Sequence, residues 1–111
     1  MQTYNKQAAL ALLDGDKDLL SILEQSFSSE NKFEKDVIEK LIAENKSGEA
    51  ASYVHATKGA ARQLCMEKLQ DSAQKLEDVL RGKKKGSLKS LTDQMAADYA
   101  EVLKTLGSSK S

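Results

Sequence analysis

Residues 50–80 read AASYVHATKGAARQLCMEKLQDSAQKLEDVL. Two apolar stripes run through this stretch. Ala50, Val54, Thr57, Ala61 and Leu64 follow a 4, 3, 4, 3 spacing. Met66, Leu69, Ala73, Leu76 and Leu80 then repeat the rhythm. Such a spacing lines one face of an α-helix, so each stripe predicts a helix with one buried side. A connection this short makes the two helices antiparallel neighbours, and the seven-residue rhythm suits a crossing angle of roughly 20°.

The same reading extends outward. A short helix is expected from about Asn5 to Leu13, stopping at DGD over 14–16, with Asp16 as cap of the next helix. That helix carries Leu19, Leu20, Ile22, Leu23 and Phe27. The apolar phase slips at SSEN, 28–31, and resumes with Phe33, Val37, Ile38, Leu41 and Ile42. The pattern fits one long helix bent near 28–31 or two helices in sequence. NKSGE, 45–49, reads as a turn with Ser47 as N-cap, and RGKKKGS, 81–87, as a loop. A last helix carries Leu88, Leu91, Met95, Tyr99, Val102 and Leu106, followed by a frayed tail over 107–111. No period-two stretch predicts a strand. The expectation is an all-α protein, an antiparallel four-helix bundle with a short additional N-terminal helix, forming a single domain over 1–111.

Composition narrows the function. The chain has 111 residues, 40% hydrophobic and 31% charged, without proline or tryptophan. That is a globular, helix-rich balance. Seventeen basic residues offset seventeen acidic ones, so charge gives no argument for nucleic acid. One cysteine excludes an internal disulfide and one histidine excludes a conventional zinc site. The longest apolar run, AALALL at 8–13, is too short to span a bilayer, and the N-terminus lacks the layout of a signal peptide. A soluble cytoplasmic monomer is expected. No glycine-rich phosphate loop is present, so binding of ATP is not expected.

His55 follows Val54 and is rotated by about 100° from the buried stripe, toward solvent. Lys58, Gly59 and Arg62 share its face. Gly59 is the one glycine inside a predicted helix, where it costs about 1 kcal/mol relative to alanine. Close helix packing would explain a small residue, but Gly59 lies off the stripe of Val54, Thr57 and Ala61. Its absent side chain instead clears space beside the imidazole. A neutral imidazole is a nucleophile, and neighbouring cations favour an anionic group on it. These residues therefore fit a phosphoryl acceptor; they also fit an exposed histidine on a solvated charged face.

HATKGAARQL closely resembles the H-x-x-K-G-small-small signature of histidine phosphotransfer (HPt) domains. LQDSAQKLEDVLRG resembles that family's following helix. The resemblance covers most of the chain. It implies a four-helix bundle that carries phosphoryl groups between aspartates of response-regulator receiver domains, in a pathway fed by a sensor or hybrid histidine kinase. By resemblance His55 is the phosphoacceptor, Lys58 contacts phosphoryl oxygens and Gly59 provides clearance. Glu77 falls where many members place a Gln or Glu that hydrogen-bonds the histidine ring, with Arg81 one turn on; the alternative is a solvated pair between these two. No cofactor is expected on this chain, and Mg²⁺ is expected on the partner receiver. Two positions depart from the family pattern: Thr57 stands where many members have leucine, and Cys65 where many have glycine. The alternatives are a chemotaxis-kinase-type phosphotransfer domain, which takes its phosphoryl group from ATP on a separate catalytic domain, and a helical interaction module without phosphochemistry.

Overall fold

The computed structural model describes residues 1–108, and every regular element among them is helical. The helices are α1 Lys6–Leu12, α2 Lys17–Glu30, α3 Lys35–Ala43, α4 Ser47–Gln63, α5 Glu67–Leu80 and α6 Leu88–Ser108. They form an elongated bundle of 43 × 23 × 19 Å. Its most extensive packing is between α4 and α5, followed by α5 and α6; α3 closes the bundle against α4 and α6. The short α1 packs on α2 at one end.

The two stripes of residues 50–80 are buried along their whole length, from Ala50 to Leu64 and from Met66 to Leu80. Met95, Tyr99, Val102 and Leu106 of α6 complete the core, with Leu20 and Phe27 of α2 and Ile38 of α3. Leu69 and Leu76 are fully enclosed, so truncating either to alanine would cost about 2–5 kcal/mol.

The slip in apolar phase is a true break: α2 ends at Glu30 and α3 begins at Lys35. Interrupting a helix frees backbone groups that need partners. Side chains from across the bundle supply some of them. Tyr99 Oη donates to Asn31 O at 2.8 Å. Tyr53 Oη donates to Lys32 O at 3.2 Å and accepts from Glu34 N at 2.9 Å. Phe33 packs between the Tyr53 and Tyr99 rings, with centroid distances of 5.8 and 5.7 Å.

Asp16 caps α2 as expected, accepting from Leu19 N at 3.0 Å. Other details differ from the sequence reading. Leu19 and Ile22 are exposed, because α2 meets the bundle through Leu20, Leu23 and Phe27 and its other side is open. Ser47 is the first helical residue of α4 and not its cap. Asn45 takes a left-handed φ of 60° and Lys46 N donates to Leu41 O at 2.8 Å, so the turn closes one residue early. The backbone of Gly107 and Ser108 continues α6; the rest of the expected tail, 109–111, lies outside the described residues.

The N-terminal residues are tied down as well. Gln2 pairs with the start of α5 through its N–H to Glu67 Oε1 (2.9 Å) and its carbonyl to Lys68 N (3.1 Å). Asn5 N donates to Cys65 O at 3.0 Å. No helix among the described residues is long and apolar enough to cross a membrane.

Candidate functional site

Burial of Val54 and Thr57 fixes the rotation of α4 and turns His55 outward, toward the α5 side. Its side chain is 59% exposed. On α5, burial of Leu76 and Leu80 points Glu77 back at α4, where its side chain is only 6% exposed.

A carboxylate so enclosed needs donors, and Glu77 has three. Lys58 Nζ lies 2.7 Å from Oε1, and Arg81 Nε donates to Oε2 at 2.8 Å. His55 Nδ1 is 3.1 Å from Oε2 and 3.3 Å from Oε1. Burial alone would raise the Glu77 pKa, but the hydrogen bonds from Lys58, Arg81 and His55, with the Lys58 charge, outweigh it and bring it to about 2. Glu77 is therefore ionised at neutral pH and can only accept hydrogen bonds. In the neutral imidazole of His55 the ring proton then sits on Nδ1, and the lone pair is on Nε2. Nε2 has no hydrogen-bond partner among the described residues.

Lys58 is not a free surface cation. Its side chain is 18% exposed, and it also donates to Gln74 Oε1 at 3.1 Å. Gln74 Nε2 in turn donates to Asp78 Oδ1 at 2.8 Å. Sequence reasoning missed Gln74, although it precedes Glu77 by three residues and so shares its helix face.

Gly59 is exposed, and a Cβ built on it meets no atom within 4 Å. The glycine is thus not required for helix packing. Arg62 is exposed on the same face and its side chain makes no hydrogen bond or ion pair among the described residues. The structure brings His55, Lys58, Glu77 and Arg81 into direct contact and leaves Gly59 and Arg62 beside them as open surface.

The two departures from the family pattern have structural accounts. Thr57 is buried, and its hydroxyl donates to Asn31 Oδ1 at 3.3 Å. Cys65 is half-buried with a left-handed φ of 54°, the residue that terminates α4. Glycine adopts that conformation without strain, whereas an L-residue pays about 1–2 kcal/mol.

A groove opens between α2 and α4, with Leu23, Phe27, Ala60 and Leu64 in its lining and Gln63 at the same wall. It adjoins the helix segment that carries Gly59.

No curated protein and no solved structure matches the chain. The family model described as "Hpt domain" matches residues 12–106. That span runs from the end of α1 to the last buried leucine of α6 and includes both helices of the Glu77 cluster. With nearly its whole length matched and an all-helical bundle as its fold, this chain belongs to the Hpt domain family, the histidine phosphotransfer domains of phosphorelays.

Proposed function

We propose that His55 accepts a phosphoryl group from the phosphoaspartate of a receiver domain and passes it to the aspartate of another receiver. The observation that carries this reading is the bond between Nδ1 and the ionised Glu77 on an exposed ring, which in the neutral imidazole places the lone pair on Nε2.

The step is an in-line displacement. The Nε2 lone pair forms the N–P bond while the P–O bond to the aspartyl carboxyl breaks, and that electron pair leaves on the carboxylate oxygen. Because Nδ1 keeps its proton, the ring becomes cationic as the bond forms. Glu77 lies against that developing charge and stabilises it. The return step reverses each movement. Lys58, one turn along α4, supplies positive charge to the phosphoryl oxygens, and Arg62 adds to the field of the same face. Gly59 leaves room for the phosphoryl group and for the receiver's surface. The Mg²⁺ that neutralises charge on the phosphoryl group belongs to the receiver. The α2–α4 groove and the exposed Leu19 and Ile22 offer apolar surface on which a receiver can dock.

Having a glutamate on the ring nitrogen also suits the chemotaxis-kinase variant, in which a separate catalytic domain supplies the phosphoryl group from ATP. The test is incubation with a labelled phosphorylated receiver and, separately, with a histidine kinase catalytic domain and labelled ATP. Acid-labile, base-stable label on the wild type and none on His55→Gln is expected from the receiver. Label at the normal level on His55→Gln refutes the assignment.

A further inference from the structure

We infer that Arg81 is a positioning residue for the transfer: it keeps Glu77 seated against His55 while Lys58 turns from Glu77 to the incoming phosphoryl group. This rests on the reading of His55 as the phosphoacceptor.

The argument begins with a conflict of demands on Lys58. At rest it is committed, with Nζ 2.7 Å from Glu77 Oε1 and 3.1 Å from Gln74 Oε1. A phosphoryl group on Nε2 brings new anionic oxygens that compete for the same ammonium. If Lys58 were the only cation on Glu77, its departure would strand a nearly enclosed carboxylate. Such a group recovers by taking a proton. A protonated Glu77 no longer holds the Nδ1 proton in place or balances the ring's charge.

Arg81 removes the conflict, and the geometry assigns each cation its own oxygen. Arg81 Nε is on Oε2, the oxygen closer to His55 Nδ1, whereas Lys58 is on Oε1. Lys58 can leave Oε1 without disturbing Oε2, which makes the shorter of the ring's two contacts with the carboxylate (3.1 against 3.3 Å). Arg81 also caps the C-terminus of α5, four residues after Glu77, so its hold depends on no movement of α4. The two side chains differ in kind as well. The guanidinium is a planar fork suited to staying on a carboxylate, and the ammonium is a point charge on a flexible stem. Gln74 accepts from the lysine from a neighbouring position and is in turn fixed by Asp78, which gives Lys58 a second foothold as it changes partners.

The test uses the full chain with phosphoramidate as donor, which needs no protein partner: its P–N bond breaks, Nε2 takes the phosphorus, and ammonia leaves. Wild type, Arg81→Gln and Arg81→Lys are compared by the rate of phosphohistidine formation and by long-range ¹H–¹⁵N spectra of the His55 ring. In Arg81→Gln the Nδ1–H signal is expected to persist at rest, because Lys58 still holds Glu77. It is expected to disappear in the phosphorylated form, where wild type and Arg81→Lys retain it. Phosphohistidine formation should fall about tenfold in Arg81→Gln, the loss of one charge-assisted hydrogen bond, and recover largely in Arg81→Lys. An Nδ1–H signal kept in both forms of Arg81→Gln, or lost already at rest, overturns the inference. A wild type that takes up no phosphoryl group overturns the phosphoacceptor reading and this inference with it.

Discussion

Thr57 on α4 donates to the side chain of Asn31, the residue at which α2 stops, across 3.3 Å. The bond joins the helix that carries His55 to the break between α2 and α3, two residues along the chain from the imidazole. It also accounts for a hydroxyl at a core position, since an unpartnered one would carry a desolvation penalty.

Replacing Thr57 by valine keeps the shape and removes the donor. The expected loss is about 1 kcal/mol of stability, the usual value of one neutral hydrogen bond. Asn31→Ala should cost a similar amount, and the double variant should cost less than the sum of the two. Urea unfolding of the three proteins checks this. Strict additivity would show that the two side chains do not interact.

Lys58→Ala should slow phosphoryl transfer by roughly 10- to 150-fold, the loss of a charge-assisted bond of about 1.5–3 kcal/mol to the phosphoryl group. Arg81 still holds Glu77 in this variant, so the fold should be kept. Quench-flow transfer from a phosphorylated receiver measures the rate, and an unchanged rate removes Lys58 from the mechanism.

Gly59 gives opposite signs for stability and function. Nothing stands within 4 Å of its missing Cβ, and alanine is the better helix former by about 1 kcal/mol. Gly59→Ala should therefore melt higher. Gly59→Gln should also fold, yet transfer more slowly than Gly59→Ala, because its side chain projects into the space beside His55. A lower melting temperature for Gly59→Ala would contradict the open space at this position.

The Glu77 cluster makes stability pH-dependent in a defined window. Its pKa lies near 2 when folded, against an ordinary value of 4.5. A depressed carboxylate pKa stabilises the fold fully above the unfolded value, and that contribution is lost as pH falls from about 4.5 toward 2. The shift corresponds to on the order of 3 kcal/mol. Wild type should therefore exceed Glu77→Gln in stability at pH 7, and the gap should narrow steadily below pH 4.5. The other perturbed carboxylates, Glu67, Asp93 and Glu101, are common to both proteins and cancel in the difference. A gap that does not change with pH would mean that Glu77 is not ionised in the fold.

What was legible in the sequence follows from range. The buried faces of α4 and α5 could be read because local period alone orients Val54, Ala61, Leu69 and Leu76. The facing of α2 could not, since Leu19, Leu20, Ile22 and Leu23 cover more than one side of the helix and only contact with the rest of the bundle, α1 and α6 among it, selects between them. The break after Glu30 showed as a phase slip, but its position was set by Tyr53 and Tyr99, each contributed from elsewhere in the chain. His55 stood out by its neighbours on one helix. The extent of burial of Glu77 did not, because a glutamate beside an arginine one turn away reads as surface until the lysine and histidine of another helix are brought to it.

The cluster around His55 draws on α4 and α5 alone, and these two helices are joined by a turn of only three residues, Leu64 to Met66. Contacts so close in sequence have little loop-closure entropy to overcome, so this helical hairpin is the part of the molecule positioned to order first and open last. By contrast α1 and α2, which bear the exposed leucines and isoleucine, are held by the sparser contacts at one end. In hydrogen exchange the amides of α4 and α5 should outlast those of α1 and α2. The imidazole and its carboxylate therefore keep their alignment through openings of the softer helices α1 and α2.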